Sequence, residues 1–182
     1  GLVTATPRKA AVEADVRALY YGPGAERRDI AQSALRAKQV LAEAPAPRGV
    51  TATGLRYAVL RMGSEGAYEE VAADALFAAG DQIRLSVEAN QSGAVRLSRR
   101  DATGVWNTLA EVRVEARVRQ MIPATGLRLA ASETLALEFA RERGLAAAAN
   151  PILQKPAGER GVYVVDPAGG AALRTEIHLP VR

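Results

Sequence analysis

The sequence predicts an all-β fold, an antiparallel β-sandwich of about eight strands with a helical or irregular N-terminal extension. Three observations point there. The apolar period falls from near 3.6 to 2 at Val50. From that residue on, short alternating runs recur between clusters of Gly, Asn, Asp and Ser. The apolar half of the chain is mostly aliphatic, with one Trp, five Tyr and two Phe, so Val, Leu and Ile must fill the space between two sheets.

Residues 1–49 form the extension and residues 50–182 the sandwich domain. Thr6-Pro7 can start a helix, and Val12, Val16, Leu19 and Tyr20 then fall on one face before Gly22-Pro23-Gly24 stops it. A second helical pattern runs from Glu26 to Glu43 through Ile30, Leu35 and Leu41. Ala44-Pro45-Ala46-Pro47-Arg48-Gly49 follows as an extended linker. Both helices are Ala-rich, bury little apolar surface alone, and must lean on something.

In the domain, Leu55, Tyr57 and Val59 alternate with Arg56 and Ala58. Gly63 to Gly66 turns the chain into a short strand, Tyr68 to Val71, and Ala72 to Ala79 is expected to make one helical turn ended by Gly80. Ile83, Leu85, Val87 and Ala89 then alternate with polar neighbours. Asn90 to Gly93 leads into a strand over Ala94 to Arg99, and Asp101 to Gly104 turns toward Trp106 and Leu109. Val112, Val114, Ala116 and Val118 alternate with Arg113, Glu115, Arg117 and Arg119. Leu135 to Phe139, Val162 to Val165 and Leu173 to Val181 complete the set.

Composition excludes several chemistries. With no Cys there are no disulfides, thiolate metal sites or cysteine nucleophiles, and a single His excludes any site built on two imidazoles. No apolar run reaches the length of a membrane-spanning helix. Lys plus Arg exceeds Asp plus Glu by 24 to 20, and only Lys9, Lys38 and Lys155 are not Arg. That bias reads as a GC-rich bacterial genome. The small positive excess suits an acidic partner or anionic lipid headgroups, whereas nucleic-acid binders cluster their charge far more. The chain opens Gly1-Leu2-Val3 without Met and shows no basic-then-apolar signal, so either a signal peptide has been removed on export or the start is trimmed, and composition leaves the compartment open.

No residues assemble a catalytic motif. His178 alternates with Ile177 and Leu179 and belongs on the solvent side of a terminal strand, and no Gly-x-Ser-x-Gly elbow accompanies it. Ser64 and Ser92 lie in turns. Glu69, Glu70, Asp74 and Asp81 are the densest acids, but nothing resembles a calcium loop, and Asp81 suits a turn by accepting a backbone N–H. Gly22-Pro23-Gly24 lacks the Lys-Ser/Thr of a phosphate loop. No catalytic, cofactor or metal residues are therefore assigned. Trp106 is expected to plug the sandwich or else to anchor a partner, and Arg113, Arg117 and Arg119 are expected on one face of one strand, either solvated or as a docking stripe.

Several blocks together resemble the bacterial domain of unknown function 4384. They are Gly54-Leu55-Arg56-Tyr57 with Leu60, Phe77 with Gly80-Asp81-Gln82-Ile83-Arg84-Leu85, and Val87-Glu88-Ala89-Asn90 with Gly93. Further on come Gly104-Val105-Trp106, Ile122-Pro123 with Gly126, Glu133 before Leu135–Phe139 with Ala140-Arg141, and Glu159 to Val165. The block from Gly80 to Asn90 is the most specific. The chain departs where family members carry Gly-Tyr-Leu-Tyr and it has Gly93-Ala94-Val95-Arg96, and where Arg128-Leu129-Ala130-Ala131 replaces a Phe-Asp loop ending in Pro-Gly, which marks a divergent member. The resemblance implies a β-sandwich exported beyond the inner membrane and carries no catalytic residues.

The function expected is that of a non-catalytic structural subunit on the periplasmic side of a membrane-bound complex, whether respiratory, photosynthetic or secretory. It would dock on protein subunits through the extension and one sheet face, with Leu19, Tyr20, Tyr21, Trp106, Arg113, Arg117 and Arg119 as contact residues. The alternative is an envelope module that recognises glycan, peptide or lipid through sandwich loops around Trp106.

Overall fold

The computed structural model of the chain describes residues 16–22, 52–141 and 151–182, and these form a two-sheet antiparallel sandwich. Ten strands build it. They are β1 (Thr53–Met62), β2 (Tyr68–Val71), β3 (Gln82–Ala89), β4 (Gly93–Arg100), β5 (Trp106–Val114), β6 (Gln120–Arg128), β7 (Glu133–Ala140), β8 (Ile152–Gln154), β9 (Val162–Asp166) and β10 (Ala172–Leu179). One sheet runs β6-β3-β1-β9-β8 with β2 beside β1, and the other runs β10-β7-β4-β5. β1 is long enough to serve three partners. One edge takes β3, while β9 and β2 divide the other between Thr53–Tyr57 and Val59–Met62.

The alternation read from the sequence sets the register. Leu55, Tyr57 and Val59 of β1, Ile83, Leu85 and Val87 of β3, and Val162 and Val164 of β9 face Val95, Leu97, Leu135, Leu137, Phe139, Leu173 and Ile177 of the other sheet. Each such side chain removed from water contributes about 1.5–3 kcal/mol, which is why aliphatic alternation suffices here without aromatic bulk. Burial pushes the Tyr57 hydroxyl up to about 12, since its charged form would have to exist among aliphatic groups.

The expectations differ from the structure in four places. Residues 72–79 form turns and one bridge, Phe77 with Val181, and no helical turn. The run from Val112 does not continue to Arg119. β5 ends at Val114, residues 115–119 cross between the sheets, Arg117 takes a φ of 62°, and Val118 is exposed. No strand is expected over 120–128, yet β6 forms there with Pro123 and Gly126 inside it, an edge strand on which a missing N–H is tolerated. β8 has only three residues and leaves no alternation to read.

Of the two predicted N-terminal helices, the structure describes the last part of the first as residues 16–21. The second, Glu26 to Glu43, and the linker after it lie outside the described residues. Gly22, with a φ of 83°, donates its N–H to the Ala18 carbonyl at 2.8 Å and closes the helix, a conformation that favours glycine.

Candidate functional site

Two surfaces matter, one on each sheet. The first is the outer face of the six-stranded sheet, where the helix of residues 16–21 packs as a strap. A helix this short is not stable alone, so its order comes from packing. Val16 and Tyr20, one turn apart, are buried with Ala52, Tyr163 and Val165. A Cβ on Gly54 would stand 2.6 Å from the Tyr20 ring, so the bare backbone of β1 is what admits the ring. Tyr20, Tyr21 and Tyr163 meet edge to face, at centroid distances of 4.8, 5.1 and 6.1 Å, and the Tyr21 and Tyr163 hydroxyls lie 3.0 Å apart. Burial raises the Tyr20 and Tyr163 hydroxyls far above the ordinary tyrosine range.

Asn90, in the turn between β3 and β4, clamps the strap to the body. Its Oδ1 accepts from the Gly54 N–H at 2.8 Å, and its Nδ2 donates to the carbonyls of Ala52 at 2.9 Å and Tyr20 at 3.1 Å. Gln91 adds a bond to the Ala52 carbonyl at 3.0 Å. Asn90→Ala is expected to strip hydrogen-exchange protection from the amides of residues 16–22 and to lower the unfolding free energy by about 1–3 kcal/mol, because the Gly54 N–H loses its acceptor. Unchanged protection in that segment would show that packing alone holds the strap.

Arginines tie the same face together. The Arg117 guanidinium donates to the Tyr21 carbonyl and stands 6.0 Å from the Tyr21 ring centroid. Arg119 lies 3.7 Å from Glu70 and 3.9 Å from Glu88. Arg56, buried, packs 5.8 Å from the Tyr163 centroid, in space that a Cβ on Gly161 would invade. Burial works against its charge, but Tyr163, Glu70 and Glu159 outweigh burial and hold its pKa above the ordinary value. Beside these groups Val118 is 45% exposed and Met121 48% exposed.

The structure thus gathers Leu19, Tyr20, Tyr21, Arg117 and Arg119 from the sequence-predicted contact set on one face, and corrects how they sit. Tyr20 is 1% exposed and sealed against the chain's own sheet, so it offers nothing to a partner. Arg113, Arg117 and Arg119 do not share a strand. Arg113 is near the end of β5, Arg117 is in the crossing turn, and Arg119 precedes β6 in the other sheet. Nor is Trp106 a plug between sheets. It lies half-buried on the outer face of the four-stranded sheet, its ring centroid 6.0 Å from the Arg100 guanidinium and 5.0 Å from that of Arg174. The Trp106 ring and the Arg174 side chain together span from β5 to β10 across β4 and β7, whose outward Ser98 and Ala136 are buried. Asn90 reads in the sequence as a turn residue and part of a resembling block, not as a clamp, and Met121 escapes sequence reading because an edge methionine carries no motif.

The second surface is the end of the four-stranded sheet, where the β4–β5 hairpin and the start of β7 frame a cleft of about 630 Å³. Glu133 is 9% exposed and takes a two-point bond from Arg99, Nε to Oε2 at 2.8 Å and Nη2 to Oε1. Asp101 closes the hairpin. Its Oδ1 accepts from the Thr103 hydroxyl at 2.6 Å and from the N–H groups of Thr103 and Val105, each at 2.9 Å. The Thr103 hydroxyl above all, with the Val105 N–H, holds the Asp101 carboxyl down at about 2.

His178 is exposed on β10 with the Thr134 hydroxyl 3.0 Å from its Nδ1. Ser92 accepts from the Ala116 N–H at 3.3 Å, and Asp81 accepts from the Ala78 N–H at 2.9 Å, both as turn-forming groups. Among the described residues no three His, Asp or Glu side chains converge on a point, and no helix is long and apolar enough to cross a membrane.

Fold and surfaces together define a β-sandwich that wears an N-terminal strap on one sheet and opens a polar cleft at the end of the other. Comparison with models of protein families, with curated proteins and with solved structures finds no match.

Proposed function

We propose that the chain is a non-catalytic accessory subunit that docks on the periplasmic side of a membrane-bound protein complex. One observation carries this reading. Exposed Val118 lies between Arg117 and Arg119 in the crossing turn, exposed Met121 follows on the edge strand opposite Ser86, and Arg117 reaches the Tyr21 carbonyl of a strap that is already fixed. Arg117 and Arg119 spend much of their charge on Tyr21, Glu70 and Glu88, so the face offers apolar contact inside a cationic rim. An apolar centre with a polar rim is how docking surfaces are built. In this reading the chain is an exported, divergent member of the domain of unknown function 4384 family, and its partner is an acidic subunit rather than lipid headgroups.

A mild-detergent pull-down from source membranes tests it. The wild-type protein is expected to bring down membrane subunits in fixed stoichiometry, and Val118→Asp with Met121→Asp to weaken that capture by about tenfold or more while leaving circular dichroism and melting unchanged. A lone monomer, or equal capture by the double variant, would sink the docking role. Binding to anionic vesicles without protein partners would reassign the face to lipid.

A further inference from the structure

The cleft at the end of the four-stranded sheet involves none of the residues of the proposed docking face, so either can fail alone. Its polar groups are unevenly spent. Both Glu133 oxygens already accept from Arg99, and Asp101 accepts through Oδ1 three times and through Oδ2 from the Asn107 amide at 3.2 Å. The two carboxylates are therefore consumed inside the chain, whereas part of the guanidinium donors is not. Arg99 uses only Nε and Nη2 on Glu133 and keeps its Nη1 edge, and exposed Arg100 has no acidic partner among the described residues.

A cleft with occupied acids and spare guanidinium edges favours a ligand that brings negative acceptors, and a guanidinium fork fits a carboxylate at two points. The surplus sits on a fixed base. The Arg99–Glu133 pair lies at the inner end of β4 and β7, and Asp101 locks the hairpin that carries Arg100, so little must be ordered on binding. The volume suits two or three sugar rings. The Asn107 Nδ2 is spent on Asp101 and the Val105 carbonyl, Ser132 on Val181 and Thr134 on His178, which leaves the Asn107 Oδ1 as an acceptor for a ring hydroxyl, with Leu109 a large apolar surface in the same lining.

We propose that this cleft binds a saccharide bearing a carboxylate, a uronic-acid unit of a glycan, with Arg100 and the Nη1 edge of Arg99 on the carboxylate and Asn107 on ring hydroxyls.

The test is a titration of the full chain with trigalacturonate, followed by NMR at the Arg99 Nε–H and the Ala102 and Asn107 backbone amides, with the neutral galactose trimer and trialanine as comparisons. Trigalacturonate is expected to shift these signals, to bind at least about tenfold more tightly than the neutral trimer, and to lose about tenfold on Arg100→Glu. Arg100 is exposed at a strand end, so that variant should keep its fold, and the wild-type shifts report on the site without any variant. No shift at the cleft, equal binding of the neutral trimer, tighter binding of trialanine, or an unaffected Arg100→Glu would each overturn the assignment. None of these readouts depends on a membrane partner.

Discussion

Val87→Asp is expected to abolish the cooperative unfolding transition of the sandwich. Val87 sits fully buried in β3, opposite Tyr57 of β1 on one side and Gln120 of β6 on the other. Its side chain faces the aliphatic cluster between the sheets. A carboxylate there must stay charged without a partner or take up a proton, and either costs several kcal/mol. Total stability of a domain this size is about 5–15 kcal/mol, so one such group consumes much of it. Thermal and urea melts followed by circular dichroism decide the matter. A variant that still melts cooperatively within about 1 kcal/mol of wild type would mean that the register of β3 is wrong.

The second large effect is expected at the Arg99–Glu133 pair. Arg99→Ala leaves the Glu133 carboxylate buried without its two donors, and a loss of about 2–3 kcal/mol is expected, below that of a fully enclosed pair because Arg99 itself reaches water. Replacing both, as Arg99→Met with Glu133→Leu, removes the uncompensated charge and should cost less than Arg99→Ala alone. Urea denaturation of wild type, Arg99→Met, Glu133→Leu and the double variant closes the cycle and gives the coupling energy, expected at about 1–2 kcal/mol. Strict additivity would show that the two residues stabilise the sandwich independently.

Much of the fold was legible because burial of one sheet face writes a period-2 pattern and burial of both, as in β9, an unbroken apolar run. β1, β3, β4, β7, β9 and β10 were all read within a few residues, and in each the predicted inward side chains are the ones buried. Two of the failures lie at sheet edges. An edge strand can do without the pattern, as β6 with Pro123 and Gly126 and the three-residue β8 show, although β10 keeps it. Val112 to Arg119 failed the other way. Its alternation continues past the point where the chain must leave one sheet for the other, and nothing in alternating residues marks that crossing.

The candidate surfaces were legible only as residue types. Leu19 to Tyr21 and the arginines drew notice by composition, but which of them would be spent inside the molecule depends on tertiary contacts between segments far apart in the chain. Arg117 meets Tyr21, and Tyr163 meets Tyr20, only once the strap has docked. Trp106 could not be placed by size, since a large ring can be half-covered between arginines on the outer face of a sheet as well as buried by entering the core. The cleft draws Arg99, Asn107 and Glu133 together by a hairpin and a strand start that no spacing rule connects.

The three-partner strand has a consequence for how the chain comes to be folded. β1 finds β2 and β3 within its first neighbours in sequence, but half of one edge waits for β9, which lies roughly a hundred residues further on. Until Val162 to Asp166 arrives, Thr53 to Tyr57 has backbone groups without partners at the centre of what will be the larger sheet. During synthesis that edge is exposed while β4 to β7 emerge, and the surface that receives Tyr20 does not exist, because Tyr163 and Val165 supply half of it. The strap is synthesised before any strand of the sandwich and is nevertheless among the last segments to find its place, closing over a sheet that only β9 completes.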